Sequence, residues 1–143
     1  MENSIQSDDL EVIKTYIIRS KEALSDAKFS LENDRFIIAQ NRSYYSCFYI
    51  IKSLSLLDNF ITSKHKVLLD WFNKKYVHEE KIFSKELSKI YKDAFDDRTD
   101  ADYSINIIFG KDEVIENYDK VKYFIETMEK YILERIEKLT VER

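Results

Sequence analysis

At 143 residues the chain is long enough to bury one core and too short for two, so residues 1–143 read as a single domain. One glycine and no proline leave little to build hairpin turns with, which excludes strand-and-turn folds and points to helices joined by short polar loops. A net charge of −4 argues against indiscriminate nucleic-acid binding by the whole surface, and a lone Cys47 excludes an internal disulfide and fits a reducing cytoplasm.

The first helix is marked by Leu10, Ile13, Ile17, Ser20, Leu24, Ala27 and Leu31 at spacings of three and four, with Ser20 the one polar member and Asp8 a suitable cap. Asn33-Asp34 reads as a turn. The second segment, 35–57, is apolar nearly all round, from Phe36, Ile37 and Ile38 through Tyr44, Tyr45, Phe48 and Ile50 to Leu57. Such a helix must have neighbours on most sides. Its small residues Ala39, Ser43, Ser46, Cys47 and Ser53 would admit them closely, and Asp58-Asn59 ends it.

A third, shorter helix carries Val67, Leu68, Trp71 and Phe72, with Thr62 or Ser63 as cap. The fourth runs from about Ser84 towards Tyr103. Ile105, Ile107, Ile108 and Phe109 read as a covering loop ending at Gly110. The fifth shows Val114, Tyr118, Val121, Ile125, Met128, Ile132 and Leu139 on one stripe, with Asp112 and Glu113 at its positive end. The expected fold is all-α: an up-and-down four-helix bundle with a fifth, shorter helix. No apolar run reaches the ~18 residues of a membrane span. The start of the chain lacks a basic segment followed by an apolar one, so no membrane association and a cytoplasmic location are expected.

The fourth helix carries the most informative departure from pattern. Its apolar face, Phe83, Leu87, Ile90, Tyr91 and Ala94, continues into Arg98 and Ala101, and Asp102 lies one turn beyond Arg98. A charge aimed at a packed interface is costly to desolvate, and it persists where it has a partner or a task. Metal chemistry is not expected: there is one Cys, the two His are thirteen residues apart, and no Glu-x-x-His pair occurs. One glycine allows no phosphate-cradling loop, so no cofactor is expected either. The candidates that remain are Arg98, Asp102 and Tyr103, the segment containing Asn41, Arg42 and Tyr45, and His65. Lysines also concentrate in 62–92, eight against four acids, where they could face phosphates or simply solvent.

Taken together, Ser20-Lys21-Glu22-Ala23-Leu24-Ser25-Asp26-Ala27, Asn41-Arg42-Ser43-Tyr44-Tyr45-Ser46-Cys47-Phe48-Tyr49, Lys64-His65-Lys66 and Arg98-x-x-Ala101-Asp102-Tyr103 resemble the HEPN family (higher eukaryote and prokaryote nucleotide-binding domains), in particular its small stand-alone prokaryotic branch. The resemblance implies a four-helix core with an extra helix and a homodimer that brings two arginine motifs together. It also implies association with nucleotide or RNA, and a minimal nucleotidyltransferase as partner in a toxin–antitoxin or defence pair. Many members are metal-independent ribonucleases that use an Arg, then four to six intervening residues, then a His. Here those positions hold Tyr103, Ser104 and Ile105. Tyrosine, with a pKa near 10, is a poor general base at neutral pH. The expectation is therefore a nucleotide- or RNA-associated interaction module with Arg98, Asp102, Tyr103, Asn41, Arg42 and Tyr45 in its pocket and weak or no ribonuclease activity. The alternative is a ribonuclease toxin in which Arg98 works with His65 or Tyr103.

Overall fold

The computed structural model describes the backbone of residues 7–103 and 109–141 and the side chains of residues 9–99 and 109–140. Within them the chain forms α1 (Ser7–Glu32), α2 (Phe36–Leu57), α3 (His65–Phe72), α4 (Lys85–Tyr103) and α5 (Lys111–Val141), with no strand. Of the covering loop expected at Ile105, Ile107, Ile108 and Phe109, Phe109 is buried and the other three lie outside the described residues, as does the side chain of the Asp8 cap.

The periodicity that marks each helix also says what it buries. On α1, Ile13, Ile17, Ser20, Ala27 and Leu31 are all buried, as the stripe requires. Ser20 belongs there because its hydroxyl donates to the Ser46 carbonyl of α2 at 2.7 Å. A small hydroxyl both permits close approach and satisfies itself. Helix α2 is the axis of the bundle, packed by α1, α3, α4 and α5. Its small residues Ala39, Ser43, Ser46, Cys47 and Ser53 are all buried, so neighbours do come close on that side. One core joins Ile50, Ile51 and Leu54 of α2 to Leu68, Leu69, Phe72, Tyr91, Phe124, Ile125 and Met128. A satellite cluster of Leu31, Ala39, Phe109 and Val114 closes the end at which α1 turns into α2.

The turns read from sequence take up left-handed backbone. Asp34 has φ 58° and Asn59 φ 59°. Around each, the amide one residue on reaches the carbonyl five back (Arg35 to Ser30 at 2.7 Å, Phe60 to Ser55 at 2.9 Å). This is the paired closure that ends a helix by satisfying its last carbonyls. At α4, Ser84 caps the start by accepting the Leu87 amide at 3.2 Å.

Two details differ from expectation. Helix α3 starts at His65 after Lys64 and has no side-chain cap. Thr62 instead accepts the Lys64 amide at 3.1 Å, a bond inside the loop before the helix. The short helix also continues as a π-helical segment, Asn73–Glu79, which ends with Lys81 at φ 53°. The wider turn places Tyr76 and Val77 in the core and carries Lys75 and Tyr76 to the end of α2. There the Asp58 side chain, 7% exposed, accepts from Tyr76 at 2.5 Å, faces Arg135 of α5 at 2.9 Å and lies 3.2 Å from Lys75. Arg135 also donates to the Tyr76 hydroxyl at 2.7 Å. Burial first, and then the Asp58 carboxylate, push the Tyr76 phenol well above its ordinary pKa, so it stays protonated and donates.

Two substitutions test this packing by chemical denaturation. Ile50→Ala empties a fully buried position and should cost roughly 2–5 kcal/mol. Asp58→Ala leaves Arg135, Lys75 and Tyr76 without their common acceptor and should cost roughly 2–3 kcal/mol, the worth of a charged hydrogen bond. A loss under about 0.5 kcal/mol at either site would place it outside the cooperative core.

Candidate functional site

Near the middle of α2, consecutive tyrosines separate by burial. Tyr44 is fully buried, whereas Tyr45 is half-buried at the rim. Neighbouring residues on a helix point about a quarter-turn apart, so one can anchor in the core while the other meets the surface. Against this pair come one residue from the start of α3, His65, and one from the end of α4, Arg98.

His65 arrives by way of the 58–64 loop, which is tied back to α2: the buried Lys52 ammonium donates to the Thr62 carbonyl. The His65 ring stacks flat on Phe48, with centroids 4.0 Å apart and planes 7° from parallel. It also lies edge-on to Tyr45 at 5.6 Å. Its Nδ1 and the Tyr44 hydroxyl share a hydrogen bond of 2.6 Å. Arg98 reaches the same two tyrosines from the end of α4. Its Cζ lies 5.5 Å from the Tyr44 ring and 5.6 Å from the Tyr45 ring, and Nη2 donates to the Tyr45 hydroxyl at 3.3 Å. Arg42 adds a second guanidinium, 4.9 Å from the centre of Tyr45 and held by two bonds to Asn41 Oδ1 at 3.1 and 3.0 Å.

The electrostatics follow from this arrangement. Burial, and secondarily the positive charge of Arg98, hold His65 below its ordinary pKa of 6.5, so the ring is neutral at pH 7. Burial pushes the Tyr44 phenol well up despite the opposing pull of Arg98, so Tyr44 keeps its proton. The result is a cluster with two permanent cations, a neutral imidazole and a partly exposed phenol ring. Guanidiniums bind phosphate oxygens in a forked, charge-assisted geometry, and an aromatic face accepts cations and bases alike.

Of the residues read from the sequence, Arg98, Arg42, Asn41, Tyr45 and His65 converge here. The backbone of Asp102 and Tyr103 is helical at the end of α4, but their side chains lie outside those described. His65, for which the sequence supplied no placement, is part of the cluster. Tyr44, which reads as ordinary core, is both core and the hydrogen-bond partner of His65. On the same helix Asp93 and Asp96 pair with Lys89 and Lys92, and Asp97 accepts from Gln40 and Asn117. Among the described residues no group of three or more His, Cys, Asp or Glu converges as a metal site, and no helix is long and apolar enough to cross a membrane.

Comparison with known proteins bears on the same stretch of chain. The HEPN domain model matches residues 13–131, which include every member of the cluster. A Thermotoga maritima protein named "UPF0332 protein" is 35% identical over 122 residues, 85% of this chain and 92% of its own length. Two proteins of Methanocaldococcus jannaschii are also similar. "Putative toxin MJ0142" is 29% identical across 83% of this chain and 81% of its own. "Putative toxin MJ0605" is 32% identical across 64% of this chain and 70% of its own. With the family match running from the buried face of α1 through α5, and the helices it spans assembled as that family's all-α bundle, this chain belongs to the HEPN domain family.

Proposed function

We propose that this chain is a HEPN module that holds the phosphate of RNA or a nucleotide between Arg98 and Arg42, acting on the toxin side of a pair with a minimal nucleotidyltransferase. The observation that carries the reading is the clasp of two guanidiniums from different helices on the single half-buried ring of Tyr45. Both present donors beside an aromatic surface, which suits a phosphate next to a base. The names of the two M. jannaschii relatives, which suggest toxins, support that side of the pair. We further propose a homodimer whose two-fold axis lies near the Arg98 motifs, since a symmetric interface would join two such clefts into one site.

The placement of His65 favours a second reading, ribonuclease action. The family's His is absent after Arg98, but a neutral imidazole reaches the cleft from α3. In that reaction the RNA 2′-hydroxyl attacks the adjacent phosphorus and gives its proton to His65. Arg98 meets the charge that develops on the phosphate oxygens, and the bond to the 5′-oxygen breaks, leaving a cyclic phosphate and a 5′-hydroxyl that takes its proton from water or from the His65 imidazolium. Which ring nitrogen serves depends on the bond to Tyr44. When the phenol accepts from Nδ1–H, Nε2 carries the free lone pair. When the phenol donates, Nε2–H is a donor suited to binding a phosphate and not to deprotonating a hydroxyl.

Purified protein incubated with RNA separates the two. Arg98→Ala should weaken RNA binding by about 10-fold or more, the value of a charge-assisted contact. On the binding reading His65→Ala leaves affinity within about 2-fold and no cleavage is seen. Cleavage that falls by about 10²–10⁴-fold in His65→Ala would instead install His65 as the acid–base group. A neutral His65 also predicts a titration midpoint below 6.5 by nuclear magnetic resonance, moving upward in Arg98→Ala as the neighbouring charge is removed. The sign extends to stability. A group harder to protonate in the folded state contributes fully above the unfolded value of 6.5, and that contribution is lost as the pH falls below it. Light scattering at micromolar concentration should report a dimer; a monomer there removes the two-fold site.

A further inference from the structure

Three tyrosines form a row that leads away from Arg98. Tyr45 and Tyr49 of α2 have ring centroids 5.8 Å apart, and Tyr49 lies 6.1 Å from Tyr16 of α1. All three are partly exposed, unlike Tyr44, Tyr76 and Tyr91, which are sealed in the core. Cations mark both ends. Arg42 and Arg98 lie 4.9 and 5.6 Å from the centre of Tyr45, and the exposed Arg19 lies 5.9 Å from the centre of Tyr16. The row thus crosses from one helix to the next and offers a succession of π-surfaces bracketed by guanidiniums. Unpaired strands are held by this combination, because every base has a face to stack and every linkage a charge to meet.

We infer that Tyr45, Tyr49 and Tyr16, with Arg42 and Arg98 at one end and Arg19 at the other, form a stacking track for an unpaired RNA strand. The ligand of the Arg98 cleft is then a single strand several nucleotides long, not a lone nucleotide. This rests on the phosphate-binding reading above and extends it. A duplex cannot use the track, since its bases are stacked on one another and show only their edges. Binding through the guanidiniums of the track should fall with salt.

Fluorescence anisotropy with labelled single-stranded RNA of about 2 and about 10 nucleotides, beside a duplex of the longer sequence, tests the track. Tyr16→Leu and Tyr49→Leu keep apolar bulk but remove the ring, Tyr16→Phe and Tyr49→Phe keep the ring, and circular dichroism checks the fold of each. The Leu variants should bind the longer strand about 10-fold more weakly and the short one unchanged, while the Phe variants match wild type. Arg98→Ala should weaken both lengths. If a Leu variant loses helix content, Arg19→Ala, an exposed substitution, takes its place with the same expected pattern. Leu variants that bind the longer strand like wild type, with Arg98→Ala still weakening both, remove the track and leave the phosphate reading standing. Duplex binding as tight as that of the single strand also overturns the track. Wild-type protein that binds neither length overturns the phosphate reading, and the track with it.

Discussion

The rest of the structure depends on the need to bury α2 on nearly every side from Ala39 onward, beyond the exposed Ile37 and Ile38. A helix with apolar residues all round cannot rest in water, so α1, α3, α4 and α5 are arranged about it. The small residues along it decide how closely. Ala39, Ser43, Ser46, Cys47 and Ser53 make one side thin, and Ser46 also receives the hydroxyl of Ser20 on α1. Burying hydroxyls is expensive unless they find acceptors, and a neighbour's helical carbonyl provides one without opening the core.

The same constraint positions both polar constellations, one partway along α2 and one at its end. At the C-terminal end Asp58 gathers Tyr76, Arg135 and Lys75, drawing together the last residue before the turn, the π-helical segment and α5. A buried carboxylate with cationic and phenolic partners is tolerated only when its oxygens are occupied, and both are here. Further back along α2, Tyr44 and Tyr45 face the core and its rim. There the partners come from the beginning of α3 and the end of α4, so the cleft assembles only when the bundle closes.

The cluster combines properties that oppose one another. Arg98 adds positive charge that suits an anion, yet the same charge adds to the larger effect of burial in holding His65 below its ordinary pKa. A neutral imidazole beside fixed cations keeps the capacity to exchange a proton, while the guanidiniums retain the capacity to bind whatever the pH. Tyr45 supplies the common surface: its ring lies beside both arginines and His65, and its hydroxyl accepts from Arg98. The guanidiniums and the imidazole therefore share one small region around a single ring.

How much of this was legible in the chain follows from what periodicity can encode. Spacings of three and four set out the helices and their buried faces, and Asn33-Asp34 and Asp58-Asn59 set the turns, because left-handed backbone favours those side chains. Arg98 stood out as a charge on an apolar face, and the quoted tyrosine segment marked the region that would meet it. The π-helical continuation did not stand out, since Asn73–Glu79 has the composition of an ordinary helix and its wider turn is imposed by where Tyr76 and Val77 must pack. Nor did the position of His65, which depends on a loop anchored by Lys52 and on a flat stack against Phe48, contacts between residues far apart in sequence. Tyr16 gave no signal at all, being one aromatic on an amphipathic helix. The sequence by itself determined which faces are buried and where the chain turns, because those are local properties of residue type and spacing. Only the tertiary structure decided which polar groups share a cleft, because that depends on how separate helices dock around α2.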